Sequence, residues 1–208
     1  WPVLIAQLAW FMHWKKFYKK IMISEYNLKE LSKKFLFSNF KKIGIKKNDT
    51  VYFGLDIRKF YSPFLRILNK NPDLIDNNLL SKIFYENIKE YFLPNGTVVF
   101  QSFTWSFIKK KKFNLYSSIP DTGAIEKYIF NKPGILRSIH PTNSVISFGK
   151  NKKIVTKDHG LYSFGANSPY DKFLKLNLKF VNVGIPFEDT CTYVHHLEHI
   201  NGSNHRFN

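Results

Sequence analysis

The chain alternates between stretches whose apolar residues repeat at helical spacing and short runs that are apolar without interruption. From Tyr26 to Ile43, Leu28, Leu31, Phe35, Leu36, Phe40 and Ile43 recur every three or four positions, as one face of a helix does. Gly44 follows, the residue best suited to the left-handed conformation that closes a helix. Asn48-Asp49 turns the chain into Val51-Tyr52-Phe53, which reads as a buried strand. A second helix is expected from about Ile75 to Phe92, broken by Pro94-Asn95-Gly96, and a second strand from Thr97 to Phe103. Ser106 to Pro120 reads as a loop with a charged run. Asp121 or Thr122 is the expected cap of a helix through Phe130, stopped by Lys132-Pro133-Gly134. Val145 to Phe148 is a short strand. Asn167-Ser168-Pro169 is expected to open a helix, with serine as cap and proline in the first turn. Phe180 to Ile185 reads as a strand, and Asp189 or Thr190 as the cap of a last helix through about Ile200. Strands alternating with helices predict a layered α/β domain.

With 208 residues, 44% of them hydrophobic, the chain can bury one substantial core. Its single cysteine, Cys191, excludes an internal disulfide framework and suits a reducing, cytoplasmic compartment. The net charge of +17 suggests a polyanionic partner. The lysines are scattered in pairs, with one longer run at Lys109 to Lys112, which fits solvated faces as well as a binding stripe. No zinc-finger spacing, RNP-type motif or basic leucine-zipper pattern is present, so a nucleic-acid partner is not expected. Pro2 to Trp14 is apolar but too short to cross a bilayer, and basic residues follow it rather than precede it, the wrong order for a secretory signal. Residues 1–21 therefore read as an extension, with contact at a membrane surface through Lys15 to Lys20 as the alternative, and 22–208 as the domain.

Several blocks, in order, resemble one family. Ile43-Gly44-Ile45 and Asn48-Asp49-Thr50-Val51 are followed by Asn95-Gly96-Thr97-Val98-Val99, Gln101-Ser102-Phe103-Thr104 and Pro120-Asp121-Thr122-Gly123. The most specific block runs from Pro133-Gly134-Ile135-Leu136-Arg137-Ser138 through Ile139-His140-Pro141-Thr142-Asn143-Ser144. Asp158-His159, Phe164-Gly165-Ala166-Asn167-Ser168-Pro169, Val183-Gly184-Ile185 and Thr192-Tyr193-Val194-His195-His196-Leu197-Glu198 complete the set. Together, from about Asn27 onward, they resemble the aminoglycoside 3-N-acetyltransferases. The resemblance implies an α/β/α fold with a mixed central sheet, incomplete at its C-terminus, because the family continues several tens of residues beyond the glutamate matching Glu198. It implies acetyl-CoA as acyl donor, an amine acceptor and no metal. One departure stands out: the family's His-Ser-Ser or His-Ser-Asp turn after the first strand is Gly54-Leu55-Asp56 here.

N-acetyl transfer needs an amine stripped of its proton beside a thioester carbonyl, a task for a histidine held by a carboxylate. By resemblance, His195 is the general base and Glu198 its partner. The two are three apart on a predicted helix and share a face, as does Thr192. Ser144, His140, Thr142, Asp56 and Thr104 are implied near the coenzyme, and Thr192, Asp189 and Glu188 near the acceptor. Arg137 is suited to a coenzyme phosphate or to a structural carboxylate. Asn167 and Ser168 can offer backbone N–H groups to an anion or simply cap a helix.

Two other chemistries share these residues. His195-His196-Leu197-Glu198-His199 matches the H-x-x-E-H pattern of a zinc hydrolase, but the chain after His199 has no carboxylate to complete the ligand set. Cys191, four residues before His195, allows a thiol–imidazole pair, although a small packed residue is the commoner use. Asn95-Gly96-Thr97 and Asn201-Gly202-Ser203 match glycosylation acceptors and read equally as turns. The resemblance favours an aminoglycoside as acceptor. The basic balance, 32 Lys and Arg against 15 Asp and Glu, favours an amino sugar of a surface polysaccharide or a nucleotide-linked precursor.

Overall fold

The computed structural model describes residues 25–160 and 162–204; the segment 1–21, with the extension and membrane-contact readings, lies outside them. The elements are α1 (Glu25–Lys42), β1 (Thr50–Leu55), α2 (Ile57–Ile67), α3 (Asn77–Phe92) and β2 (Thr97–Gln101). They continue as α4 (Ala124–Ile129), β3 (Leu136–Arg137), β4 (Val145–Gly149), α5 (Lys152–Thr156), α6 (Asp171–Lys175), β5 (Lys179–Val183) and α7 (Tyr193–Ile200). The five strands form one mixed sheet in the order β3-β4-β2-β1-β5. β1 runs parallel to both β2 and β5, while β4 runs antiparallel to β2 and β3.

β1, β2 and β4 are buried on both faces while the edge strand β5 is only partly so, and the strand period of two divides the core. Val51, Phe53, Val98, Phe100, Ile146, Phe148 and Val181 face a large cluster built with α1, α2, α3 and α4. Tyr52, Val99 and Val145 face a smaller one built with Val155 of α5, Tyr170 and Phe173, against which Phe180 and Tyr193 pack. The result is the expected α/β/α layering. Phe53 sits at the centre of the larger cluster, with ring centroids 5.7 Å from Phe100, 6.0 Å from Phe84 and 5.9 Å from Phe40. Among the described residues no helix is long and apolar enough to cross a membrane.

Several boundaries differ from expectation. α2 is an element the apolar pattern did not indicate: Asp56 caps it by accepting the Lys59 N–H at 2.9 Å, and Ile57, Phe60, Tyr61 and Leu65 form its buried face. The helix expected at Asp121 or Thr122 begins after Gly123, at φ 71°. Asp121 instead accepts the Trp105 N–H at 2.7 Å and pairs with Lys109 at 2.9 Å, which holds its carboxyl below the ordinary value. The helix expected from Ser168-Pro169 begins later, as the short α6 with Tyr170 as its cap residue; Ser168 Oγ lies in the preceding turn and accepts the Asp171 N–H at 3.1 Å. The last helix starts at Tyr193, after Thr192 rather than after Asp189 or Thr190. Thr190 is buried and directs its hydroxyl to the Phe187 carbonyl at 3.2 Å.

Candidate active site

β1, β2 and β5 are parallel, so their C-terminal ends lie along one edge of the sheet. In open α/β sheets that edge, where strand order reverses, is where ligands bind. Here it carries Asp56 after β1, Ser102 to Thr104 after β2 and Gly184 after β5, and the start of β4 adds Ser144 beside Ser102.

The β2 and β4 ends are knitted by one buried arginine. Arg137 donates from Nε to Ser144 Oγ at 3.1 Å, from Nη2 to the Ser102 carbonyl at 2.7 Å and from Nη1 to the Ser118 carbonyl at 2.5 Å. Ser144 Oγ donates to the same Ser102 carbonyl at 2.5 Å. The guanidinium is 5.0 Å from the Phe113 ring and meets no carboxylate among the described residues, and burial lowers its pKa to about 10. The structural carboxylate expected for Arg137 is therefore not found among the described residues; two backbone carbonyls and the Ser144 hydroxyl occupy the guanidinium instead. Ser144 is a framework hydroxyl whose proton is already committed.

The His140-Pro141-Thr142-Asn143 turn is held from inside. His140 Nδ1 accepts the N–H groups of Thr142 at 3.2 Å and Asn143 at 3.0 Å, so the ring's proton sits on Nε2, 2.9 Å from Ser163 Oγ. Burial, assisted by the nearby His159, lowers the His140 pKa. Thr104 Oγ1 donates to the Pro141 carbonyl at 2.5 Å, which ties the end of β2 to this turn. Asn143 Nδ2 donates to Ser163 Oγ at 2.9 Å, which ties the turn to the 162–165 loop. His159 accepts the Ile139 N–H at 3.3 Å.

That loop leads to α7. His195 Nδ1 is 3.1 Å from Glu198 Oε2, one turn along the same helix, and its ring meets Phe164 edge-on with centroids 5.7 Å apart. Half of the His195 side chain, 51%, remains open to solvent. His195 thus reaches the turn preceding Ser144 through two linked contacts, Phe164 and its neighbour Ser163. Thr192 precedes α7 and is half-buried, and Cys191 is half-buried beside it. Glu188 and Asp189 are exposed on the loop between β5 and α7. Asn167 is in the left-handed region, φ 60°, within a turn rather than at a helix start. His196 is fully buried, and no group of three or more potential metal ligands forms among the described residues.

Sequence reasoning missed the role of Gly54. A Cβ on it would stand 2.7 Å from Asn182 Oδ1 and 2.8 Å from Thr190 Cβ. The loop between β5 and α7 folds against the end of β1 in the space a larger residue would fill. The signal was present as a departure at Gly54-Leu55-Asp56, but the partner it makes room for is 136 residues away and no local pattern identifies it. Two surface clefts are also present, one of about 370 Å³ beside Arg137, Ile139 and His159, the other at the opposite end of the sheet beside Lys47, Asn95 and Lys150. His195 lines neither of them.

Residues 80–207, more than half of the chain, match the model of the aminoglycoside 3-N-acetyltransferase family. An aminoglycoside N(3)-acetyltransferase III of Pseudomonas aeruginosa is 26% identical over 90 residues, which cover 43% of this chain and 33% of that protein. Its namesake from Salmonella sp is 30% identical over 77 residues, covering 36% and 27%. The aligned stretch thus spans about a third of the length of these relatives. Among solved structures, AAC-IIIb in a binary complex with CoASH superposes with a TM-score of 0.62 at 21% identity, covering 80% of this chain and 64% of that one. The YokD protein from Bacillus subtilis gives 0.64 at 20%, covering 80% and 69%. Sisomicin-bound AAC-VIa gives 0.62 at 19%, covering 80% and 64%.

Proposed function

Because the chain belongs to the aminoglycoside 3-N-acetyltransferase family, we propose that it transfers an acetyl group from acetyl-CoA to an amino group of an aminoglycoside, with His195 as general base. The observation that carries this reading is the His195–Glu198 pair. With Nδ1 facing Glu198 Oε2 at 3.1 Å, the ring donates its Nδ1 proton to the carboxylate and leaves Nε2 as the basic atom. Glu198 fixes that tautomer and stabilises the imidazolium that forms, as an orienting carboxylate does. Half of the His195 side chain is open to solvent, as access for an amine requires. As the amine nitrogen bonds to the acyl carbon, its proton passes to Nε2; the carbon–sulfur bond of the thioester then breaks, and coenzyme A leaves as a thiolate that takes up that proton to give the free thiol.

Acetyl-CoA supplies the acyl group as a thioester. The residues at the sheet edge fit such a donor: Ser102 Oγ is buried with no hydrogen-bond partner, so a hydroxyl remains uncommitted beside the framework of Ser144 and Arg137. His140, Thr142, Ser144 and Thr104 shape this wall, and Asp56 adds the first turn of α2. A binary complex with CoASH among the superposable structures supports the same choice of donor. For the acceptor, Thr192, Glu188 and Asp189 lie on the chain leading into α7, and the two carboxylates suit a polycation. Sisomicin bound to AAC-VIa supports an aminoglycoside. The charge of +17 favours a second reading, an amino sugar of a surface polysaccharide or a nucleotide-linked precursor. The test is thiol release from acetyl-CoA in the presence of sisomicin or an amino-sugar panel. His195→Ala should lower kcat at least about 100-fold with the KM for acetyl-CoA little changed. A variant as active as the wild type removes His195 from the chemistry.

A further inference from the structure

Glu198 fixes the His195 ring relative to α7, because both residues belong to that helix. It does not fix α7 relative to the loop that joins the coenzyme-side turn. That tie is made elsewhere, at Gly165. His196 is fully buried, and its Nδ1 accepts the Gly165 N–H at 3.1 Å. His199, one helical turn from His195, covers the same glycine from the other histidine position: a Cβ on Gly165 would stand 2.6 Å from His199 Cδ2 and Nε2. Gly165 has φ +85°, so both its backbone and its missing side chain are required there. Tyr193 stacks on His196 at 5.3 Å and 29°, which holds the ring that holds the glycine. The residue immediately before Gly165 is Phe164, the ring that meets His195.

We propose that His196 and His199 clamp Gly165 and thereby set Phe164 against His195, which makes both histidines positioning residues for the proton-accepting imidazole. The inference rests on the reading of His195 as base and adds a role for the two histidines that reading leaves idle. Three features support it. The clamp includes a direct polar link from α7 to the 162–165 loop, the Gly165 N–H to His196 Nδ1 bond. Its acceptor must be a neutral imidazole, since a proton on Nδ1 would remove the bond to Gly165. Burial keeps His196 neutral, lowering its pKa, with Asp171 opposing and His199 assisting. The same loop reaches the Thr142-Asn143 turn through Ser163, so a shift at Gly165 is felt on both sides of the reacting centre.

The experiment uses the full chain with sisomicin and acetyl-CoA, together with nuclear Overhauser contacts between the Phe164 and His195 ring protons. His196→Leu removes the acceptor; it should abolish the Phe164–His195 contact and lower kcat on the order of tenfold or more, with the KM for acetyl-CoA changed less than about twofold. His196→Asn, whose Oδ1 can receive the Gly165 N–H, should restore both. Gly165→Ala should reproduce the His196→Leu losses, and adding His199→Ala to it should recover part of them by vacating the space the new methyl needs. This pair carries the test if His196→Leu does not fold. A folded His196→Leu protein that keeps the ring contact and kcat overturns the proposal, as does a His196→Asn protein that behaves like His196→Leu. If the ring contacts respond as expected but the wild-type chain releases no thiol, the clamp stands and the reading of His195 as base falls.

Discussion

Glu126 offers a measurement that isolates one buried proton. It lies in the first turn of α4, is 2% exposed, and its Oε2 has no hydrogen-bond partner. The carboxyl occupies the space that the side chain of Gly123 would need, 1.6 Å from an ideal Cβ there. Burial pushes its pKa up to about 8 from 4.5, against the smaller opposing effects of its own backbone N–H and Lys127. The folded protein therefore carries Glu126 protonated at neutral pH, while the unfolded chain ionises it above 4.5. The associated stability is fully present below pH 4.5 and is lost as pH rises toward 8. One pKa unit corresponds to about 1.4 kcal/mol, so the loss is about 3 kcal/mol at pH 7 and about 5 kcal/mol above pH 8. Glu126→Gln keeps the shape and removes the proton equilibrium. Urea unfolding of both proteins from pH 5 to pH 9 gives a difference in which all other titrations cancel. That difference should shift in favour of the glutamine variant by several kcal/mol across the range. A difference that is flat with pH would refute the assignment of a buried, protonated Glu126.

Other predictions follow the same framework. Arg137→Met should destabilise the fold by about 3 kcal/mol, because the carbonyls of Ser102 and Ser118 lose buried donors; denaturant midpoints check this. Gly54→Ser should cost about 1–3 kcal/mol, since its Cβ meets Thr190 and Asn182 at the end of β1, and Thr190→Ala in the same chain should recover part of that cost. His140→Asn should flatten the acid side of the stability profile. Protonating His140 breaks the bonds its Nδ1 accepts from Thr142 and Asn143. The stability tied to its neutral form is present above pH 6.5 and falls below it, toward the lowered pKa of the folded state. Parallel unfolding curves for wild type and variant between pH 4 and pH 7 would count against that account.

The pattern of apolar runs located β1, β2 and β4 within a few residues, because a strand buried on both faces leaves an unbroken apolar signature, and it located the half-buried edge strand β5 through Phe180, Val181 and Val183. It also located α1 and α3, whose repeats are long enough to average over local noise. α2 escaped because Pro63 lies inside its pattern, where proline usually argues against a helix; the packing of Phe60, Tyr61 and Leu65 overrides that preference. β3 and α5 escaped because elements of two and five residues carry too few positions to show a period.

The sequence by itself determined the layered α/β class, the order of the main elements and the pairing of His195 with Glu198, since all three depend on spacing along the chain. Tertiary structure alone decided what each polar group is spent on. Arg137 meets three oxygens contributed by Ser102, Ser118 and Ser144 instead of a carboxylate among the described residues. Gly54 gave its space to Thr190, and His196 and His199 of one short run both pack onto Gly165. These partners lie tens of residues apart, and which of them meet depends on how the layers close over the sheet, a property of the packed whole that no local window of residues contains.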